Sequence, residues 1–165
     1  MRTFRVPVGV VVSFCILVVG LLTIGPDAAL AQENLHSGTW VLNVAKSKYS
    51  PGPPPKEQTT VFTAQGDSFK ASTKGTSADG KPTMTEYTAS FDGKDHPVKG
   101  NPDWDSVAVK RIDSHTIEFT RKRGGKVVQT ATSVVSKDGK TRTITATGVN
   151  AAGQKISTVG VYEKK

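Results

Sequence analysis

The sequence predicts an all-β domain, an up-and-down antiparallel meander barrel of about eight or nine strands. Three observations lead there. Short strand-like runs in the back half meet at Asp113-Ser114, Gly124-Gly125 and Asp138-Gly139, the spacing of two-residue hairpin turns. Composition all but excludes helix: beyond residue 31 there are two leucines, Leu35 and Leu42, against thirteen valines and eighteen threonines. Apolar and polar residues alternate at strand period. Leu, Ile, Val and Phe make only 23 of those 134 residues, which raises disorder, but disordered chains have neither spaced turns nor alternation, and threonine here takes positions that valine would fill.

The first 31 residues read as a signal peptide, with Arg2 and Arg5 before an apolar run over 8–25 and Ala29-Leu30-Ala31 as a small-x-small cleavage site. The mature chain is then one barrel domain, 32–165, exported to a periplasmic or extracellular location. The alternative is an uncleaved membrane anchor, since the run is just long enough to span a bilayer. Cys15 follows bulky Phe14, a poor context for lipid attachment, and the mature part has no cysteine, so burial alone must hold it. Loss of two arginines and one aspartate takes the net charge from +8 to +7. Such a surface suits an anionic envelope and does not by itself argue for nucleic acid.

The first strand spans 38–44, and the Pro-rich crossing 50–55 cannot be helical. Strands follow at 57–65, 68–75, 83–91, 104–112, 115–123, 126–137, 140–149 and 154–163. A Ser-x-Asp-Gly-Lys phrase recurs at Ser77, Ser90 and Ser136 as turns, its uneven spacing arguing against a solenoid repeat. The segment 92–103, with Pro97, Gly100 and Pro102, is expected to be a long loop over one mouth.

Turn geometry sets which side chains share a face. About Asp113-Ser114, Ile112 faces His115, Lys110 faces Ile117, Ala108 faces Phe119, Ser106 faces Arg121 and Trp104 faces Arg123. This row holds the large apolar residues and is read as inner. It continues through Val128, Thr130, Thr132 and Val134, then Thr143, Thr145 and Thr147, then, across a four-residue loop, Ile156, Thr158, Gly160 and Tyr162. About Gly66-Asp67, Ala64 pairs with Phe69 and Phe62 with Ala71. One β-bulge would flip everything beyond it.

The inferred interior is lined by threonine hydroxyls and holds Lys110, Arg121 and Tyr162 beside Phe119, with Trp104 at a mouth. A dry core would not choose these residues; a wet cavity for an acidic, amphipathic ligand would. The bland alternative places Lys110 and Arg121 at a rim, snorkelling into solvent.

Gly38-Thr39-Trp40 resembles the opening of lipocalins and fatty-acid-binding proteins, and Val161-Tyr162-Glu163-Lys164 resembles the closing strand of the latter. More closely, the run from Gly38 to Pro53, of the form GTWxLNxxKSxYxPGP, resembles that of a group of short exported bacterial proteins of unassigned role. The resemblance implies a ligand-binding barrel in which Gly38 and Trp40 are structural. It also implies departures. The Arg-x-Tyr pair that holds a carboxylate in fatty-acid-binding proteins falls on Gly160 and Tyr162, and the crossing is too short for their helical lid. The lipocalin arginine that packs over the first-strand tryptophan would be Arg142, which the register above places outside.

Catalysis has little support, and no cofactor is implied. There is no cysteine in the mature part, His36, His96 and His115 lie in no motif, and Glu86 and Glu118 are isolated. Asp92, Asp95, His96 and Asp103 could approach a metal, but carboxylates in an Asp-Gly-rich loop are ordinarily solvated. The basic tip Arg121-Lys122-Arg123 lacks the interleaved aromatics of a nucleic-acid surface. Two readings remain: a carrier of a small hydrophobic or acidic ligand, and an envelope interaction or inhibitor protein with a filled barrel, acting through its loops on an anionic polymer or lipid. Oligomeric state is open.

Overall fold

The computed structural model describes residues 34–165; the expected signal segment lies outside them. The strands are β1 (Gly38–Leu42), β2 (Lys48–Ser50), β3 (Glu57–Gln65), β4 (Ser68–Thr76), β5 (Pro82–Ser90), β6 (Asp92–Lys99), β7 (Ser106–Arg111), β8 (Thr116–Arg123), β9 (Lys126–Val135), β10 (Thr141–Val149) and β11 (Lys155–Lys164). From β3 onward each pairs antiparallel with the next. β1 joins β3 on one side and β11 on the other, with Trp40 opposite Lys164 and Leu42 opposite Tyr162, so the barrel closes. Closure removes the unpaired edges that an open sheet would expose.

The first strand is shorter than expected and broken. Asn43 Oδ1 accepts from Lys46 N at 3.0 Å and caps a single 3-10 turn over Val44–Lys46. The chain then returns to β11 as β2, pairing Tyr49 with Thr158.

The expected loop over 92–103 is mostly strand β6. Its ladder is thin: only Glu86↔Lys99 and Tyr87↔Val98 join it to β5, and its pairing with β7 shifts between Asp92 and Asp95. Proline and glycine weaken a strand without excluding it where the ladder is already interrupted.

At one end the core is dry. Trp40, Phe62, Phe69, Val107, Val109 and Ile117 are fully buried, and the Phe62 and Phe69 rings stack at 4.1 Å. Trp40 Nε1 donates to the carbonyl of His36 at 2.8 Å, so residues just before β1 close that end with Trp40 buried in it.

The register departs from expectation in three places. The hairpin about Gly66-Asp67 and the turn at Asp138-Gly139 pair as read, with Phe62 opposite Ala71 and Thr143 opposite Val134. The β7–β8 connection, however, has three residues, because Asp113 Oδ1 accepts from both His115 N (2.7 Å) and Thr116 N (2.8 Å). A two-residue hairpin needs positive φ, and no described residue other than glycine has it. Val109 therefore faces Phe119 and Val107 faces Arg121; Lys110 pairs with Glu118 and is exposed, not inner. Ile112, also read as inner, is 55% exposed.

The second departure is a β-bulge. Lys122 pairs with Val127 but Arg121 with Gln129, leaving Val128 without a partner. The inner row of β9 is thus Gln129, Ala131, Ser133 and Val135, and Thr130, Thr132 and Val134 face outward with Thr143, Thr145 and Thr147 of β10. Arg142, Ile144 and Ala146 turn inward instead. The third departure reverses the flip: Asn150 N donates to the carbonyl of Gln154 across a five-residue loop rather than four. Ile156, Thr158, Gly160 and Tyr162 accordingly share the inner row of β11 with Arg142, as Arg142↔Tyr162 shows.

Candidate functional site

Beyond the dry end the barrel holds a cavity of about 360 Å³, in the size range of small-molecule sites. Its walls mix aromatics (Phe62, Tyr87, Trp104, Phe119, Tyr162) with threonines (Thr60, Thr73, Thr85, Thr158) and two arginines, Arg121 and Arg142. The threonine-bearing interior read from the sequence corresponds to a cavity wall with different threonines from most of those expected. Of the proposed ligand residues, Trp104, Phe119, Arg121 and Tyr162 come together here; Lys110 does not.

Arg121 enters from β8. Its Cζ lies 4.9 Å from the centre of the Trp104 ring and 5.9 Å from that of Phe119, and Nη1 donates to Gln129 Oε1 at 3.1 Å. Trp104 itself precedes β7 and packs edge-on against Tyr87, 5.9 Å between centres. Arg142 enters from β10, with Nε donating to Ser133 Oγ at 2.7 Å and Cζ over Phe62 (5.2 Å) and Trp40 (6.0 Å). The contact with Trp40 is the one the lipocalin resemblance implied, so the register reading that put Arg142 outside is corrected. Lys164 Nζ lies over the same Trp40 ring at 5.4 Å.

These two cations are incompletely satisfied. Arg121 Nε and Arg142 Nη1 are buried without a hydrogen-bond partner, and among the described residues no carboxylate forms an ion pair with either. Burial lowers both guanidinium pKa values, opposed by the phenols of Tyr87 and Tyr162 and, at Arg121, also by Tyr49 and Asp103. Arginine starts so high that both remain charged. Desolvation, with Tyr49 beside it, raises the Tyr162 phenol far above its usual value, and the cations Arg142 and Arg121 oppose this without offsetting it. Tyr162 stays neutral and donates to Gln58 Oε1 at 2.6 Å.

Gly160 stands where the resemblance would put the arginine of an Arg-x-Tyr pair. A Cβ there would lie 2.9 Å from Tyr162 Cε2 and 3.3 Å from Tyr49 Oη. Tyr49 and Tyr162 fill that space, and the cations that line the cavity are Arg121 and Arg142.

Arg142, Tyr49, Gln58 and Gln129 are the site residues that sequence reasoning missed. A signal for Arg142 exists in Gly148. Its φ is +146°, and a Cβ there would sit 2.1 Å from the Val128 carbonyl and 2.6 Å from Gln129 Cα. A glycine inside a strand marks a bulge in its neighbour, and this bulge is what turns Arg142 inward.

The remaining candidates are dispersed. His96 Nε2 lies 3.2 Å from Asp92 Oδ1, whereas Asp95 pairs with Lys122 (2.7 Å) and Asp103 accepts from Ala151 N (2.7 Å). The basic tip is divided by strand alternation: Arg121 points inward, Lys122 pairs with Asp95, and Arg123 donates to the Pro102 carbonyl.

No protein-family model matches the chain, and no curated protein matches it in sequence. Among solved structures the chain is similar to the zebrafish ileal bile acid-binding protein, crystallised with cholic acid, at 14% identity and a TM-score of 0.48, covering 79% of this chain and 99% of that one. It is also similar to lobster apocrustacyanin A1, at 12% identity and a TM-score of 0.44, covering 81% of this chain and 63% of that one.

Proposed function

We propose that this protein is an exported, non-catalytic carrier that takes a small amphipathic acid into the barrel, with Arg121 as the cation that meets its anionic group and Trp104, Phe119 and Tyr162 as contacts for its body. The carrying observation is the unpartnered Arg121 Nε beside a 360 Å³ cavity, with no carboxylate pairing the guanidinium. A cation with a buried, unpartnered nitrogen and no counter-ion is unfavourable, and an acidic ligand supplies what is missing. The reading that required a filled barrel is not favoured, and the loop on which it relied is β6.

The experiment is a fluorescence titration with 2-naphthoate. The wild-type chain binds it, Arg121→Gln weakens binding at least tenfold, and Lys110→Gln leaves it unchanged because Lys110 faces solvent beside Glu118. Absence of binding by the folded wild-type chain refutes the carrier. Export belongs to the same proposal: the intact mass of protein recovered from outside the producing cell should correspond to a chain that begins at Gln32.

A further inference from the structure

We infer that the cavity is built for a compact ligand with two anionic groups, one held at each end. This rests on the carrier reading and goes further by giving Arg142 a ligand of its own. The two guanidiniums lie over different rings. Arg121 lies over Trp104 and Phe119, whereas Arg142 lies over Trp40 and Phe62, deep against the plugged end. They are also rooted apart: Arg121 is level with Gln129 and so with Gly148 on β10, six residues from Arg142, and both side chains reach from there into the one cavity.

Each guanidinium also keeps a buried nitrogen without a partner, Arg121 Nε and Arg142 Nη1. Protein acceptors take only one bond from each: Gln129 at Arg121 and Ser133 at Arg142. Two cations of like sign in one low-dielectric space repel, and one anion at Arg121 would leave Arg142 uncompensated. A second anionic group relieves both defects. The cavity wall also carries hydroxyls and an amide, Thr60, Thr73, Thr85 and Gln58, which suits a short polar or aromatic spacer better than an alkyl chain.

The test compares 2,6-naphthalenedicarboxylate with 2-naphthoate by isothermal titration of the wild-type chain and of Arg142→Gln. The diacid is expected to bind wild type at least tenfold more tightly than the monoacid, and Arg142→Gln to erase that advantage. If 2-naphthoate binds and the diacid gains nothing, this inference fails and the carrier reading stands. If neither binds, both fail. A monoacid affinity that drops equally in Arg121→Gln and Arg142→Gln would mean that one anion bridges the two, and also overturns it. Should Arg142→Gln not fold, the wild-type comparison alone decides.

Discussion

His36 is 1% exposed, with neither ring nitrogen hydrogen-bonded. Desolvation and the charges of Arg142 and Arg111 hold its pKa down at about 3, the His115 backbone opposing and being outweighed. The native state therefore keeps His36 neutral while the unfolded chain protonates it near 6.5. Below that value the unfolded state binds more protons, so stability falls as pH drops from about 6.5 toward 3, by up to about 1.4 kcal/mol per unit. The depressed aspartates Asp79, Asp92, Asp113 and Asp138 add to acid lability only near and below their ordinary values. Between pH 5 and 6.5 the histidine term should thus be separable. His36→Leu is expected to flatten denaturant midpoints across that window relative to wild type; parallel curves would contradict it. Gly148 makes a second prediction at this scale. Its Cβ would overlap backbone of the β9 bulge, so Gly148→Ala should destabilise by about 2–4 kcal/mol and weaken 2-naphthoate binding by misplacing Gln129 and Arg121. Unchanged melting would contradict this.

Strands and turns were legible to different depths. Where a connection carried glycine in the turn itself, as at Gly66-Asp67 and Asp138-Gly139, pairing followed directly, because Gly66 and Gly139 supply positive φ. Asp113-Ser114 has no such residue, and side-chain bonding by Asp113 made a longer turn that shifted the register by one. The bulge at Val128 was invisible in β9, whose own residues alternate normally, and showed only through Gly148 on the neighbouring strand. Two slips of opposite effect then restored the inner row of β11, which is why Tyr162 was placed correctly and Arg142 was not. β6 was missed because proline and glycine mask a strand that is only weakly laddered. That weakness has a dynamic consequence: with two residue pairs joining β5 to β6, this seam should open first. Amide exchange of Glu86 and Lys99 is expected to be faster than that of Phe119 and Ala131 on the long β8–β9 ladder; equal protection would remove the seam as a weak point.

For the whole molecule, closure between β1 and β11 gives every strand except the short β2 two neighbours, and a dense aromatic end carries the burial that disulfides would otherwise supplement. That end tolerates a cavity above it, and the cavity tolerates one buried and one half-buried cation, only because the remaining packing offsets them. Function and stability should therefore oppose each other at Arg121. Its guanidinium is desolvated, repelled by Arg142 and bound within the protein through Gln129 alone. Methionine has similar length and no charge, so Arg121→Met should raise the stability of the ligand-free barrel by about 1–3 kcal/mol while abolishing the response to 2-naphthoate. Saturating probe should reverse the order, because ligand at a hundred times Kd adds about 2.7 kcal/mol to wild type and nothing to the variant. Thermal unfolding with and without probe measures both effects in one pair of scans. A ligand-free variant that melts below wild type would show that Arg121 supports the barrel through its stacking on Trp104 and Phe119 instead of straining it.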